Sequence, residues 1–323
     1  MTLIEQIRES IERPFLLYEE KYKALLSTDN SLLAEIFAHI SANRGKQLRP
    51  MLAMLCAELC YGCNNKTISS AAALEVIHTA SLIHDDVVDM SAQRRGRESV
   101  NYKWSNKIAV LAGDFLLTRA IREIIGLRNQ EITNIILSMA GSLAVGEIEE
   151  LHHNSSMWIS EKQYLEVIRH KTAMLFAACA ECGAVSAGAS AKQQSALRSY
   201  GENLGLCFQM KDDELDFSDS EEIGKPRMSD VRDGKATLPL IVSLERAPRF
   251  ESDEIKRLSE QPFTADTEQE IKSFVLRYDG LRYARQRMEE YRGKALEALS
   301  AFRESTCKDS LISLLNYSIN RLY

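Results

Sequence analysis

Residues 68–91 read ISSAAALEVIHTASLIHDDVVDMS. The stretch is mostly apolar, yet it ends in three carboxylates, Asp85, Asp86 and Asp89. It lies inside a longer span, Met51 to Lys225, that holds none of the chain's six prolines. Proline in a helix interior costs about 3 kcal/mol. A proline-free span rich in Ala, Leu, Glu and Ile therefore reads as successive long helices, with 68–91 as one of them. Strand signals are scarce, because no sustained period-2 alternation and no hairpin dipeptide between β-branched runs occurs. The expected helices are 2–27, 31–60, 68–91, 101–127, 130–152, 160–187, 191–217, 236–247, 268–303 and 308–321. Ser160 with Gln163 forms a capping-box pattern at the start of one of them. The polar breaks at 91–99, 153–158 and 218–235 do not resemble linkers. The simplest expectation is one all-α domain, 1–323, of about ten helices.

Composition narrows the class. Of 323 residues, 45% are hydrophobic and 27% charged, the balance of a globular protein. A formal net charge of -6 gives no basic field for nucleic acid. The N-terminal MTLIEQIRESIERP carries charges throughout, unlike a signal peptide. No uninterrupted apolar run reaches the roughly 18 residues of a membrane helix. A soluble cytoplasmic protein without a transmembrane segment is expected. The seven cysteines include two CxxC pairs, Cys60/Cys63 and Cys179/Cys182. They lie far apart, so small thiols on helices are expected rather than a zinc site or a disulfide framework.

The carboxylates carry the functional signal. Residues four apart share a helix face, so Asp85 and Asp89 point the same way with Asp86 beside them. Charges this close repel, and burial raises the cost. Either the helix end is solvated or it binds a cation. The same DDxxD spacing recurs at Asp212, Asp213 and Asp216 near the end of another helix. Oxygen donors without His or Cys suit a hard cation, Mg²⁺ before Zn²⁺. Mg²⁺ is usually completed by waters and substrate phosphates, so a diphosphate substrate is expected. Cations accompany the clusters: Arg94 and Arg95 after the first, Lys46 and Arg49 in GKQLRP, and Lys171, Lys225 and Lys235 at or near expected helix ends or in the polar loop after the second cluster. Arg offers bidentate phosphate contacts and Lys a point charge.

These residues, in this order, resemble the trans-isoprenyl diphosphate synthases, or polyprenyl synthetases. The resemblance runs from GKQLRP (45–50) through EVIHTASLIHDDVVDMSAQRRG (75–96), AGDFLLTRA (112–120), GEIEEL (146–151) and HKTAMLF (170–176) to FQMKDDELD (208–216) and GKATLP (234–239). It implies an isoprenoid synthase-type helical bundle around a deep central cavity, usually a homodimer. It implies that Asp85, Asp86, Asp89, Asp212, Asp213 and Asp216 hold Mg²⁺ on the diphosphate of an allylic substrate. Arg94, Lys171, Lys225 and Lys235 would bind that diphosphate, and Lys46, Arg49, His78 and Arg95 that of isopentenyl diphosphate. Thr172 and Gln209 match positions at the reaction centre. The implied reaction ionises the allylic diphosphate, lets the isopentenyl double bond attack the carbocation, and loses a proton to the released diphosphate. Two positions depart from the usual pattern: Met228 stands where glycine is common, and Glu150 where glutamine is frequent.

In the family, the residues four and five before the first aspartate set product length. Ser81 and Ala80 are small and leave the pocket open, and the motif lacks the two-residue insertion of many short-chain bacterial enzymes. A product of about C30 to C40 is therefore implied, primed by farnesyl or geranylgeranyl diphosphate, with transient membrane contact for its release. Leu116, Leu137 and Met139 are candidates for the pocket floor. The alternatives are a short-chain C15 to C20 synthase, a terpene cyclase, and a non-catalytic metal-binding subunit. A cyclase would not need Lys46, Arg49 and Arg95, and such subunits generally lose aspartates that this chain retains.

Overall fold

The computed structural model describes residues 2–42, 44–154, 159–218, 228–259, 261 and 263–321. The helices are α1 (Leu3–Glu9), α2 (Glu12–Leu26), α3 (Ser31–Ser41), α4 (Leu48–Cys60), α5 (Asn65–Val88), α6 (Val100–Lys103), α7 (Asn106–Gly126), α8 (Gln130–Asn154), α9 (Glu161–Ile168), α10 (Met174–Ser186), α11 (Ala191–Asp216), α12 (Ser229–Arg232), α13 (Leu238–Arg246), α14 (Arg249–Ser259), α15 (Ala265–Arg277), α16 (Gly280–Leu299) and α17 (Thr306–Asn320). The all-α expectation holds, and the Ser160 capping box is present, with the Gln163 amide donating to Ser160 Oγ at 3.3 Å.

Five expected helices are divided: 2–27 into α1 and α2, 101–127 into α6 and α7, and three more for the local reasons that follow. The expected 31–60 helix breaks before α4, where Gln47 adopts a left-handed φ of 56° and Pro50 fills the third helical position. The expected 268–303 helix breaks at Asp279, also left-handed with φ 57°. The expected 160–187 helix contains a π-turn, Arg169–Ala173, in which the Met174 amide reaches back five residues to the Arg169 carbonyl. Helix α14 has no counterpart among the expected helices. Its composition is strongly polar, and its signal was Pro248 just before it with the buried Ile255 on its inner face.

The polar break at 91–99 forms a small hairpin, β1 (Gln93–Arg94) with β2 (Arg97–Glu98), antiparallel and paired Arg94 to Arg97. Its two central residues, Arg95 and Gly96, both have positive φ, 53° and 74°. That is the two-residue turn whose twist suits adjoining strands.

The contacts group into two compact units. The first comprises residues 1–140, 176–201 and 299–314, and the second 141–175, 202–298 and 315–323. In the first, α5 is the core helix: Ala71 to Leu74, Ile77, Ala80 and Ile83 are buried against α2, α4 and α7. A helix apolar on all sides belongs in a core. Helix α2 adds Tyr18 and Tyr22, whose rings are buried while their hydroxyls meet Gln47 Nε2 at 3.0 Å and Thr79 Oγ1 at 3.1 Å. The first bond holds the residue before α4, and the second ties α2 to α5. In the second unit, Leu240, Ile271, Phe274 and Val275 form a core with Phe217 and Met228. Met228 has φ 50° and is 1% exposed. A left-handed non-glycine residue costs about 1–2 kcal/mol, and burying a methionine side chain recovers a similar amount. That is how the chain does without glycine there.

Candidate active site

In the first unit, Asp85 and Asp86 lie in the last turn of α5 and Asp89 caps it. The three carboxylates diverge. Asp85 is half-buried and Asp89 exposed, while Asp86 is 4% exposed. Arg94, carried back by the hairpin, donates to Asp86 Oδ1 from Nε at 2.8 Å and Nη2 at 2.6 Å. Burial pushes the Asp86 carboxyl above its usual range, and Arg94 counters only part of that. The Asn101 amide ties the Asp86 carbonyl at 3.0 Å. Arg94 therefore serves as a counter-ion that docks the hairpin onto α5.

Behind this turn lies a cavity lined by Arg44, Glu75, His78, Arg94, Arg95 and Arg97, among others. Arg49 on α4 donates from Nη1 to His78 Nε2 at 3.0 Å and lies over the Phe176 ring at 4.7 Å. Burial, with Arg49 and Arg95 nearby, pushes the imidazole well below its ordinary pKa. His78 is thus a neutral acceptor that orients Arg49, not a further cation. Gly45 has its own reason: a Cβ there would stand 2.7 Å from the Arg95 guanidinium. Lys46 of the same segment is exposed. Of the expected isopentenyl set, Arg49 and His78 are in contact, and Arg95 shares the cavity with His78.

In the second unit, Asp213 is 2% exposed and accepts from Tyr164 Oη at 2.5 Å and Gln209 Nε2 at 3.0 Å. Gln209 in turn accepts from Thr172 Oγ1 at 2.8 Å. The two expected reaction-centre residues thus form a chain ending on the aspartate motif. Asp212 pairs with Arg321 Nη2 at 2.7 Å. Asp216 accepts from the Ser229 amide at 2.9 Å and the Asp230 amide at 3.2 Å, capping α12. Burial and the neighbouring Asp230 raise its carboxyl to about 7. Burial likewise pushes Asp213 far up, with Asp230 the next cause.

Lys171 sits within the π-turn. Gly146 of α8 permits this, since a Cβ there would meet the Lys171 amide nitrogen at 2.6 Å. With the backbones that close, Lys171 Nζ reaches Glu147 at 2.8 Å and Glu150 at 2.6 Å. Lys235 Nζ reaches the same Glu150 oxygen at 3.3 Å. Burial pushes Glu150 up, but Lys171 and Lys235 prevail and hold it below the usual carboxylate range. Burial pulls Lys171 down, and Glu150 and Glu147 more than reverse that. Glu150, the departure noted in the sequence, therefore adds a charge that joins two expected diphosphate lysines. Lys225 lies outside the described residues.

The polyprenyl synthetase family model matches residues 30–275. The chain belongs to the polyprenyl synthetase family. It is accordingly a prenyltransferase with the all-α isoprenoid synthase fold. Octaprenyl diphosphate synthase of Haemophilus influenzae is 34% identical over 321 residues, covering 99% of this chain and 98% of its own. A polyprenyl synthase from Caulobacter crescentus, solved with calcium and isoprenyl diphosphate, superposes with a TM-score of 0.92 at 33% identity, covering 99% and 98%. A decaprenyl diphosphate synthase from Rhodobacter capsulatus gives 0.94 at 32% identity, covering 99% of each chain.

The donor set fits the divalent cation expected for the family. Among the described residues, no three His, Cys, Asp or Glu side chains already converge as a metal cage. Mg²⁺ does not require one, because it takes one or two carboxylates, waters and substrate phosphates. The raised carboxyls of Asp213 and Asp216 beside Asp230 mark a surplus of buried negative charge that a divalent ion would offset.

Sequence reading passed over several residues of this family site. Tyr164 and Asp230 lie in no quoted motif, and Glu147, though within GEIEEL, is singled out only by its contact with Lys171. Arg321 lies after the last quoted motif. For product length, Ala80 is fully buried and Ser81 donates its hydroxyl to the His78 carbonyl at 2.9 Å. Leu116 and Met139 are buried, but Leu137 is 47% exposed. Leu137 is therefore corrected: its side chain faces outward and does not form a pocket floor.

Replacing Gly146 tests the π-turn. A helical Gly→Ala exchange gains about 1 kcal/mol of propensity, but overpacking against backbone costs about 1–3 kcal/mol. Gly146→Ala is expected to lower the thermal midpoint slightly and turnover by about tenfold, through a misplaced Lys171. Parallel unfolding and steady-state measurements check both.

Proposed function

We propose that the protein condenses isopentenyl diphosphate onto farnesyl or geranylgeranyl diphosphate to give an all-trans product of about C30 to C40. The observation that carries this reading is the pairing of two aspartate motifs with two separate cation sets. One set is the arginine-rich cavity beside His78, and the other is Lys171 with Lys235. Two diphosphates need two such sets, and a cyclase needs one.

On this reading Asp85, Asp86, Asp89, Asp212, Asp213 and Asp216 hold Mg²⁺ on the allylic diphosphate, with Asp216 also accepting from the first amides of α12. Mg²⁺ supplies positive charge to the departing diphosphate. Arg94, Lys171, Lys225 and Lys235 bind the same group, and Lys46, Arg49 and Arg95 bind isopentenyl diphosphate. The allylic C–O bond breaks, a C–C bond forms to the isopentenyl carbon, and the released diphosphate takes the proton. Thr172 and Gln209 shape the reaction centre, and apolar walls keep water from the carbocation.

Small side chains at Ala80 and Ser81 support the long product, as do the names of the octaprenyl and decaprenyl relatives. The protein acts in the cytoplasm as a homodimer. Exposed apolar side chains on α7, Leu111 at 63% and Ile125 at 63%, support the pairing of two copies. Helix α8 is long and apolar enough to cross a membrane by composition, though Ser138, Ser142 and Glu147 interrupt it. Its exposed Ile148 and Leu151 would meet lipid during product release.

The test is a product assay with Mg²⁺, labelled isopentenyl diphosphate and farnesyl diphosphate. A ladder ending between C30 and C40 is expected. A stop at C15 or C20 would retain the family chemistry and overturn the open-pocket argument.

A further inference from the structure

Arg44 belongs to no motif quoted above, and it lies directly before Gly45 on the wall of the arginine-rich cavity. Its guanidinium stacks over the Tyr22 ring at 4.1 Å, and its Nη1 faces Glu19 at 3.6 Å. Tyr22 is itself fixed by its bond to Thr79. The plane of the guanidinium is thus held, and one edge is left over. Nε and Nη2 form that edge, and both atoms are buried with no hydrogen-bond partner among the described residues. Buried donors are nearly always satisfied, and the Nε/Nη2 edge is the fork that takes two oxygens of a carboxylate or phosphate. Glu75 of the same cavity has a buried Oε2 that is also without a partner. Its charge does not close the fork, because no bond between the two residues forms.

We infer that the Nε/Nη2 edge of Arg44 is a bidentate receptor for the diphosphate of the isopentenyl substrate, working beside Arg49 and Arg95. This rests on the assignment of the cavity to isopentenyl diphosphate. Stacking on Tyr22 pre-organises the fork, so the ligand meets an aligned donor pair and not a mobile chain. A lysine in its place would keep the charge but lose the second donor.

The experiment uses the full chain and compares wild type with Arg44→Lys and Arg44→Ala. Isopentenyl diphosphate binding is titrated in the presence of EDTA, which disables the metal-dependent allylic site. KM values for isopentenyl and farnesyl diphosphate are measured with Mg²⁺. Both variants are expected to weaken isopentenyl diphosphate binding by about 10- to 100-fold, the loss of a charge-assisted pair of bonds. KM for farnesyl diphosphate stays within about twofold, since that substrate uses other donors. Unchanged isopentenyl binding overturns the inference. So does recovery of full affinity by Arg44→Lys, which would show a point charge and no fork. Equal rises in both KM values with a lowered unfolding midpoint also overturn it, as a structural effect. If wild type ignores isopentenyl diphosphate yet binds inorganic diphosphate through Arg44, the fork stands and the substrate reading fails.

Discussion

Asp85→Ala is expected to reduce turnover by at least about 10²–10³-fold while leaving the chain folded. The carboxylate lies in the last turn of α5, half-buried, four residues before the capping Asp89. Anions at a helix C-terminus face the negative end of the dipole and are worth a few tenths of a kcal/mol or more in the wrong direction. Three of them there oppose local stability, so removing one should leave the unfolding midpoint unchanged or slightly raised. Asp86 differs, since it is buried and holds Arg94, and its removal would release the hairpin as well. Turnover assays with thermal unfolding of Asp85→Ala separate the two cases. Near-wild-type turnover would sink the metal assignment.

Lys171→Met should lose both turnover and stability, and the two losses can be separated. The ammonium lies between Glu147 and Glu150, with the three side chains 16–26% exposed. Removing it leaves two like charges together and partly buried, with Lys235 still paired to Glu150. Breaking a fully buried pair costs about 3–5 kcal/mol, so with this exposure roughly 2–3 kcal/mol is expected. Loss of a positive group at a departing diphosphate costs about 10²–10³-fold in kcat. Adding Glu150→Gln should restore most of the stability and none of the turnover. The same pair links stability to pH. Glu150 has a depressed carboxyl in the fold, so its contribution is present above the unfolded value of about 4.3 and is lost as pH falls through the folded value. Denaturant titrations of the single and double variants, with rates from each, check the argument. Recovery of turnover in the double variant would remove Lys171 from the mechanism.

The site was legible to different depths in its two halves. Asp85, Asp86, Asp89, Asp212, Asp213 and Asp216 were visible because carboxylates repeated at one spacing inside apolar helices oppose ordinary folding. Lys171 and Lys235 were visible as cations and Glu150 as a departure from the usual pattern, but the pairing of all three was not. Its meaning depends on α8 approaching the π-turn through Gly146, a contact between residues 25 positions apart. Arg44 lies outside the quoted motifs, and Glu75, though it opens one of them, carries no role that its neighbours in sequence reveal. Only their burial in one cavity, with polar atoms left over, sets them apart.

The sequence by itself determined that the chain is helical, where most helices lie and which aspartates matter. Those features rest on local causes: proline placement, caps, and residues three and four apart on one face. Tertiary structure decided the breaks at Gln47 and Asp279, the hairpin that returns Arg94 to Asp86, and the upward shift of the Asp86, Asp213 and Asp216 carboxyls. It also decided that His78 orients an arginine and that Asp216 caps a helix. Those outcomes depend on which groups burial brings within hydrogen-bonding distance, and neither desolvation nor a long-range partner is written in the spacing of neighbours along the chain.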